Sequence, residues 1–371
     1  MRSTLVLAGF MAGTAAVGGA LIESCARPPR PDPTAVAGPA NSASLNGLAS
    51  SEARPTTILE SPTVSLALDR IDQHELPLDR TFAHSATGKG VTVYVFDGGV
   101  SPSHPELAGR VRIGYSGFSD DPKICNAHGT AVAGAIGGAT LGVAPDVQIV
   151  DVKMVQCEKL RGTIKAIVDG AHWVIEDHKS HPGPAIANWS FIADTSSRIP
   201  SLDSAVAELR AAGIPVVVSA GNLDIDACRV SPANSLGAIV VGASALASEE
   251  LGDGTTHTID RRAPNTAFGP CIDIYAPGDS VLLPSLDRNN APVTQLWNGT
   301  SMAAGYVSGA LALYLETHPK ATPDETAAAV EQAATLNVVR DAKAPVSRML
   351  YVGAVEMRFT SRVATRSSSR H

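Results

Sequence analysis

The stretch GKGVTVYVFDGGV at residues 88–100 decides the fold class of this 371-residue chain. Its central run, residues 91–97, is rich in β-branched and aromatic residues, which is typical of a strand. The run is apolar at successive positions, as expected when both faces of a strand are buried in a parallel sheet. It ends in Asp97 and is followed by two glycines. The sequence therefore predicts a carboxylate at the carboxyl end of a buried strand.

Similar apolar runs follow and alternate with amphipathic or small-residue segments. The further predicted strands are 148–155, 185–191, 214–219 and 238–243, and the predicted helices are 129–138, 162–179, 201–212, 300–318 and 323–335. Thr322 and Glu325 fit a capping box, with Pro323 at the first helical position. This alternation predicts an α/β fold of three layers, in which helices cover both faces of a mainly parallel central sheet.

Composition excludes some partners and little else. Because 44% of the chain's residues are hydrophobic, one large domain can bury a stable core without needing disulfides or metals. Its net charge is -7, from 36 acidic and 29 basic residues. No overall positive field attracts nucleic acid or an anionic membrane, so we expect no nucleic-acid partner.

The ends of the chain differ in composition from the middle. Residues 1–26 combine Arg2 with a long Ala/Gly/Leu/Val stretch, which predicts a signal peptide and an extracellular protein. Retention as a membrane anchor and a lipid on Cys25 are the alternatives, although Glu23 departs from a lipoprotein signal. Residues 27–62 predict a disordered Pro/Ala/Ser-rich linker, 63–355 the folded domain and 356–371 a disordered basic tail.

The remaining cysteines are even in number. Cys125, Cys157, Cys228 and Cys271 make two disulfides plausible in an exported chain. Four cysteines allow three connectivities, among which the spacing does not choose. No C-x-x-C pair occurs, so a zinc site is the weaker interpretation.

Three side chains together predict acyl-transfer chemistry. Taken alone, Asp97 fits a turn, His128 a structural residue at a helix start, and Ser301 a helix N-cap. Acyl transfer requires a hydroxyl nucleophile, an imidazole to take its proton and a carboxylate to orient that imidazole. Asn222, after the strand 214–219, adds an amide that could bind a developing oxyanion.

At these motifs the sequence resembles the subtilisin-like serine peptidases, within them the proteinase K and aqualysin group. The resemblance covers about 66–352 and is carried by LDRIDQHELPL (68–78), GKGVTVYVFDGGV (88–100), HGTAVAGAIGG (128–138), SAGN (219–222), SPA (231–233), CIDIYAPG (271–278) and NGTSMAAGYVSGALALYLE (298–316). It implies a serine endopeptidase acting on proteins or peptides, with a triad of Asp97, His128 and Ser301. Asn222 and the Ser301 backbone N–H would form the oxyanion hole.

The resemblance also implies binding and structural residues. Substrate would be bound by two segments, Ser190, Phe191, Ile192 and Ala193 on one side and Ser219, Ala220 and Gly221 on the other. The implied disulfides are Cys125–Cys157 and Cys228–Cys271. Asp69, Asp72, Gln73 and Asp79 match a calcium site of some members, whereas the alternative is that they cap a helix or pair with Arg70 and Arg80. No cofactor is needed for the chemistry, and we expect a monomer.

Several positions depart from the family pattern. Gly98 replaces a hydroxyl residue that often supports the aspartate, and Ile192 and Ala193 replace two glycines beside the specificity pocket. Ala131 and Ala304–Tyr306 also differ, and residues 244–265 suggest an extra surface loop. A catalytically impaired relative that only binds peptides is therefore the alternative function. An α/β-hydrolase esterase fits less well, because no G-x-S-x-G elbow surrounds Ser301.

Overall fold

The computed structural model describes residues 59–118 and 123–353. The predicted signal peptide, Cys25, most of the predicted linker and the basic tail lie outside these residues. The linker was predicted to extend through residue 62, and here the structure differs. Leu59–Pro62 form a strand that pairs with Thr81–His84, so the last four residues of the predicted linker belong to a sheet. This pairing hydrogen-bonds the backbone of Leu59–Pro62 within a sheet. The Pro and Ser content of the segment had instead predicted that water would solvate this backbone.

Strands and helices alternate along the described residues. The strands are β1 (Leu59–Pro62), β2 (Thr81–His84), β3 (Thr92–Asp97), β4 (Val111–Ser116), β5 (Gln148–Lys153), β6 (Val155–Gln156), β7 (Arg161–Gly162), β8 (Ala185–Trp189), β9 (Val216–Ser219), β10 (Ile239–Glu250), β11 (Thr256–Arg262), β12 (Ile274–Pro277), β13 (Val281–Leu286), β14 (Pro292–Trp297), β15 (Thr335–Leu336) and β16 (Arg348–Met349). The helices are α1 (Leu66–Ile71), α2 (His128–Gly137), α3 (Ile164–Ser180), α4 (Pro200–Ala211), α5 (Thr300–Thr317) and α6 (Pro323–Ala333).

The central sheet is mainly parallel. Its strands lie in the order β15-β16-β12-β10-β9-β8-β3-β5-β4, and β11 pairs with β10 off this path. Every pairing from β4 to β16 is parallel, while β11 and β15 join antiparallel. Because β3 lies between β5 and β8, its carboxyl end is central to the sheet edge where sites form in open α/β sheets.

Helices cover both faces of this sheet, which confirms the predicted three-layer α/β class. Phe96 packs against Gly170 of α3, and the next residue, Asp97, faces Gly129 of α2. Successive side chains of a strand point to opposite faces, so α2 and α3 lie on opposite sides of β3. α5 packs beside α2 and across β8 to β12, whereas α4 packs beside α3. The small residues of α2 and α5 allow these two helices to approach closely and bury nearly all of their surface.

The predicted elements of the domain core are found within a few residues of their predicted bounds. The exception is the segment 244–265, predicted as an extra loop. It forms most of an antiparallel hairpin, with Ser244 opposite Arg262 and Glu250 opposite Thr256. One face of the hairpin is exposed and carries polar residues, so these strands lack the continuous apolar runs used to predict strands from the sequence. Within the residues described, no helix is both long and apolar enough to cross a membrane.

Candidate active site

The polar side chains predicted for catalysis converge at the carboxyl edge of the sheet. Asp97 is the last residue of β3, and His128 is the first residue of α2. Ser301 is the second residue of α5, and Asn222 follows β9 by three residues. Each stands where a parallel strand ends or where a helix begins, which gives the set a rigid support.

Asp97 and His128 form a short hydrogen bond. His128 Nδ1 lies 2.7 Å from Asp97 Oδ2, and Asp97 Oδ1 accepts the Gly98 backbone N–H at 2.7 Å. Burial lowers the pKa of His128, but the charge of Asp97 and its hydrogen bond raise it more, so the net shift is upward from the ordinary value. The bond places the Nδ1 proton toward Asp97 and leaves Nε2 free to act as a base.

Ser301 is buried near this pair, with its hydroxyl turned toward the end of β8. Its Oγ donates to the Ser190 carbonyl oxygen at 3.2 Å, and Ser190 Oγ donates to the Ser301 carbonyl oxygen at 3.1 Å. In the described residues no hydrogen bond joins Ser301 Oγ to His128. A Ser301–His128 hydrogen bond would require the hydroxyl to turn away from Ser190, and such looser geometry is common in unliganded sites.

Asn222 is held so that its amide donor remains available. Its Oδ1 accepts the backbone N–H and the hydroxyl of Thr300, at 2.9 and 3.0 Å. Asn222 is exposed, and no partner for its Nδ2 occurs among the described residues. A Cβ on Gly299 would lie 3.1 Å from this Nδ2, and φ of Gly299 is +137°, so glycine is required beside the donor. The Ser301 N–H, in the first turn of α5, also lacks an intrahelical acceptor.

Two segments flank the serine where substrate binding was predicted. Residues 190–193 follow β8, and residues 219–221 follow β9, with the Ser219 hydroxyl bonded to the Phe191 carbonyl oxygen at 3.3 Å. Ala193 N–H donates to the Ser231 carbonyl oxygen at 2.8 Å, which fixes the first segment. Ile192 Cγ2 lies 3.1 Å from the position of a Cβ on Gly221, where φ is +103°. The branched side chain therefore lies between the two segments.

Comparison with known proteins agrees with this geometry. The model of the subtilase family matches residues 88–354. The chain belongs to the subtilase family. It is 42% identical over 277 residues to the extracellular serine proteinase of Thermus sp. (strain Rt41A), covering 74% of this chain and 62% of that protein. It is 34% identical to alkaline serine exoprotease A of Vibrio alginolyticus, covering 83% and 53%. The chain thus spans less than two thirds of the length of these two relatives.

The fold of this subtilase is also that of a solved relative. The crystal structure of a cold adapted subtilisin-like serine proteinase matches with a TM-score of 0.68 and 36% identity, over 80% of this chain and 100% of that chain. The family and fold predicted from the sequence are therefore confirmed.

Two disulfides join loops of the domain, in the pairing that the resemblance implies. Cys125 is joined to Cys157 and Cys228 to Cys271, with Cα atoms 4.6 and 5.2 Å apart. Cys125 N–H also donates to the Gly98 carbonyl oxygen at 2.8 Å. The first bridge therefore supports the segment before His128 against the turn after Asp97.

The side chains predicted for calcium are largely engaged with the protein itself. Asp69 accepts the backbone N–H groups of Asp79 and Arg80, Asp79 accepts from Thr81, and the Gln73 amide donates to the Glu75 and Pro77 carbonyls. Asp72 differs, because its buried Oδ1 has no hydrogen-bond partner. No cluster of three or more His, Cys, Asp or Glu side chains able to hold a metal is found in the part of the chain that the structure describes.

Some residues of the site were not singled out from the sequence. Thr300 holds Asn222 and also accepts the Gly221 N–H at 3.1 Å. Trp297 lies edge-on to the His128 ring, with centroids 6.1 Å apart. Both residues lie within four positions of Ser301, and this closeness in the sequence could have marked them as part of the site. Asp151, one of two charged residues inside the predicted apolar strand 148–155, was a second signal.

Proposed function

We propose that this subtilase is a secreted serine endopeptidase, which hydrolyses peptide bonds through an acyl-enzyme on Ser301. The observation that carries the proposal is the 2.7 Å bond between His128 and Asp97 at the sheet edge that also holds Ser301 and Asn222. Similar proteins are named as proteinases, and one of them as extracellular. The chemistry requires only side-chain and backbone groups of the chain, without a cofactor.

The proposed reaction begins with rotation of Ser301 from Ser190 toward His128. His128 Nε2 takes the hydroxyl proton while Oγ attacks the carbonyl carbon of the substrate. Asp97 holds the ring in the correct tautomer and stabilises the imidazolium. The negative charge that develops on the substrate oxygen is bound by Asn222 Nδ2 and the Ser301 N–H. His128 then protonates the leaving amine, and water releases the acyl group by the reverse sequence.

The proposal also covers a calcium ion, the route of export and the oligomeric state. A calcium ion near Asp72 would be structural, since Asp69, Asp72, Gln73 and Asp79 lie in α1 or between α1 and β2, and none of them is among the groups proposed to react. Export would use residues 1–26, with lipid on Cys25 as the alternative route to the cell surface. We propose a monomer that acts on protein or peptide substrates.

Labelling by a fluorophosphonate tests the proposed nucleophile, because the reagent requires an activated serine. We expect wild type to be labelled and Ser301→Ala to be neither labelled nor active, with an unchanged circular dichroism spectrum. Ser248→Ala, at an exposed serine of the β10–β11 hairpin, is the control and should label normally. Labelling of the Ser301→Ala variant at the wild-type rate would overturn the assignment.

Steady-state kinetics of Asn222→Ala test the oxyanion hole. The amide binds charge that exists only in the transition state, so kcat should fall about 10²–10³-fold with little change in KM; that magnitude is measured for subtilisin. An unchanged kcat would remove Asn222 from the mechanism. Peptide binding by wild type without labelling or turnover would instead favour the catalytically impaired relative.

A further inference from the structure

Asp151 places a carboxyl group in the interior beside the proposed site. It lies on β5 and is only 2% exposed. Its Oδ1 is buried and has no hydrogen-bond partner. A charged carboxylate is costly in such surroundings unless it is fully paired. The reaction described above does not use this group.

The sheet register places Asp151 on the face that carries Asp97. Asp151 lies opposite Val95 of the neighbouring strand β3. Val95 and Asp97 are two residues apart and point to the same face of the sheet, toward α2. The backbone N–H of Val100, three residues after Asp97, lies close enough to the Asp151 carboxyl to lower its pKa. Asp151 thus contacts the end of the turn that begins at the catalytic aspartate.

That turn matters more here because Asp97 has little other support. Gly98 supplies only its backbone N–H to Asp97 Oδ1, and Oδ2 is bonded to His128. No side-chain hydroxyl donates to Asp97 among the described residues. The direction of the Asp97 carboxylate therefore depends on the backbone of residues 97–100.

Burial, more than the surrounding charges, favours the neutral form of Asp151. Burial raises the pKa of Asp151 to about 8; the Val100 N–H and Lys153 act to lower it, and Asp97 raises it. α2 contributes no titratable side chain except His128, which is bonded to Asp97. Arg112 of β4 is engaged with Asp177, and His104, between β3 and β4, is bonded to the Val293 carbonyl oxygen.

We propose that Asp151 is a positioning residue: as a neutral carboxylic acid it holds the Val100 end of the turn that orients Asp97. Ionisation would place a second anion on the face of Asp97. The two carboxylates would repel each other, and Asp97 would lose its alignment with His128. The catalytic effect rests on the proposed protease function, whereas the neutral state of Asp151 does not.

The pH profile of kcat/KM separates this role from a merely structural one. Wild type should lose kcat/KM as pH rises through about 8, where Asp151 ionises. Asp151→Asn has the same shape, keeps an acceptor for Val100 and does not ionise, so its profile should stay flat above that pH. Near neutral pH it should match wild type within about twofold. Asp146→Asn, at an exposed carboxyl before the same strand, is the control and should keep the wild-type profile.

Removing the acceptor tests the contact with the turn. Asp151→Val should lower kcat roughly ten- to a hundredfold at all pH values with KM unchanged, because misplacement of a catalytic group affects the transition state most. Wild-type kcat in a folded Asp151→Val variant would overturn the proposal. If kcat/KM of Asp151→Asn decreased at alkaline pH as that of wild type does, the proposal would also be overturned. This measurement tests the proposal even if Asp151→Val does not fold.

Urea unfolding tests the neutral carboxyl without any activity. The pKa of Asp151 is about 8 when folded and about 3.9 when unfolded, so the unfolded chain releases this proton at lower pH. Wild type should therefore lose stability relative to Asp151→Asn as pH rises from about 4 to about 8, and the difference should then stay constant. A difference that does not change with pH would overturn the proposal, whereas absence of fluorophosphonate labelling would overturn only the protease function.

Discussion

The side chain of Ile192 lies against Gly221, between the two segments proposed to bind substrate. The resemblance implies glycine at position 192, where a branched side chain adds bulk. Because Ala193 is fixed by its bond to Ser231, the neighbouring backbone has little freedom to withdraw Ile192 from this space. At the scale of the residue, Ile192 should therefore narrow the pocket for the side chain before the scissile bond.

Cleavage of peptide libraries tests this restriction. Wild type should prefer Ala or similarly small residues before the scissile bond over Phe, Tyr and Leu. Ile192→Gly should shift the preference toward the large residues by about 10–200-fold in kcat/KM, and Ile192→Val should give a smaller change in the same direction. If wild type cleaves best after large aromatic residues, Ile192 does not limit the pocket.

At the scale of elements, the hairpin of β10 and β11 is fastened to α1 by a buried ion pair. The Arg70 guanidinium donates to both oxygens of Asp260, with its Nη2 2.7 Å from Oδ2. Their side chains are 2% and 3% exposed. Burying two charges gives little net stability, but removing one leaves the other unpaired in the interior. The pair therefore fixes how α1 docks on the hairpin.

Urea denaturation measures the consequence. Asp260→Ala should lower the free energy of unfolding by about 3–5 kcal/mol, and the double change Arg70→Met, Asp260→Leu should recover most of it. Glu176→Ala, which breaks the exposed pair with Lys179, should change stability by no more than about 0.5 kcal/mol. Equal effects of the buried and exposed changes would contradict the role of the buried pair.

At the scale of the whole molecule, the two ends of the described domain meet beside Asp72. Val352 N–H donates to the Ile71 carbonyl oxygen at 2.7 Å, directly before Asp72. Burial of Asp72, opposed by the Ala83 N–H and reinforced by Asp79 and Asp69, raises its pKa to about 7. The folded chain then holds a proton that the unfolded chain has already released, so stability falls as pH rises from about 4 to 7. A bound cation would remove this penalty.

Thermal unfolding of chelator-treated protein tests the proposed calcium. Added calcium should raise the thermal midpoint at pH 8, because calcium binds the folded state only. Asp72→Asn keeps an acceptor for the Ala83 N–H but lacks the charge, so it should lose the calcium response. Magnesium, which demands stricter octahedral geometry, is the control ion. An equal calcium response in wild type and Asp72→Asn would exclude Asp72 as a ligand.

The sequence by itself determined five of the ten strands of the central sheet and the residues predicted for catalysis. Strands such as residues 92–97 and helices such as α5 follow from local apolar runs and small-residue patterns, which do not depend on distant contacts. The order Asp97, His128, Ser301 lies in short motifs at the ends of those elements. The implied disulfide pairing depended on resemblance, because cysteine spacing alone left three connectivities open.

Only the tertiary structure decided which distant residues became neighbours. Arg70 pairs with Asp260, 190 residues away, rather than with the nearby carboxylates. Residues 244–262 became a hairpin, and Asp151 came to share a face with Asp97 because β5 lies beside β3 in the sheet. The physical reason is that periodicity records which positions are buried. The order of strands in the sheet decides what each buried group faces.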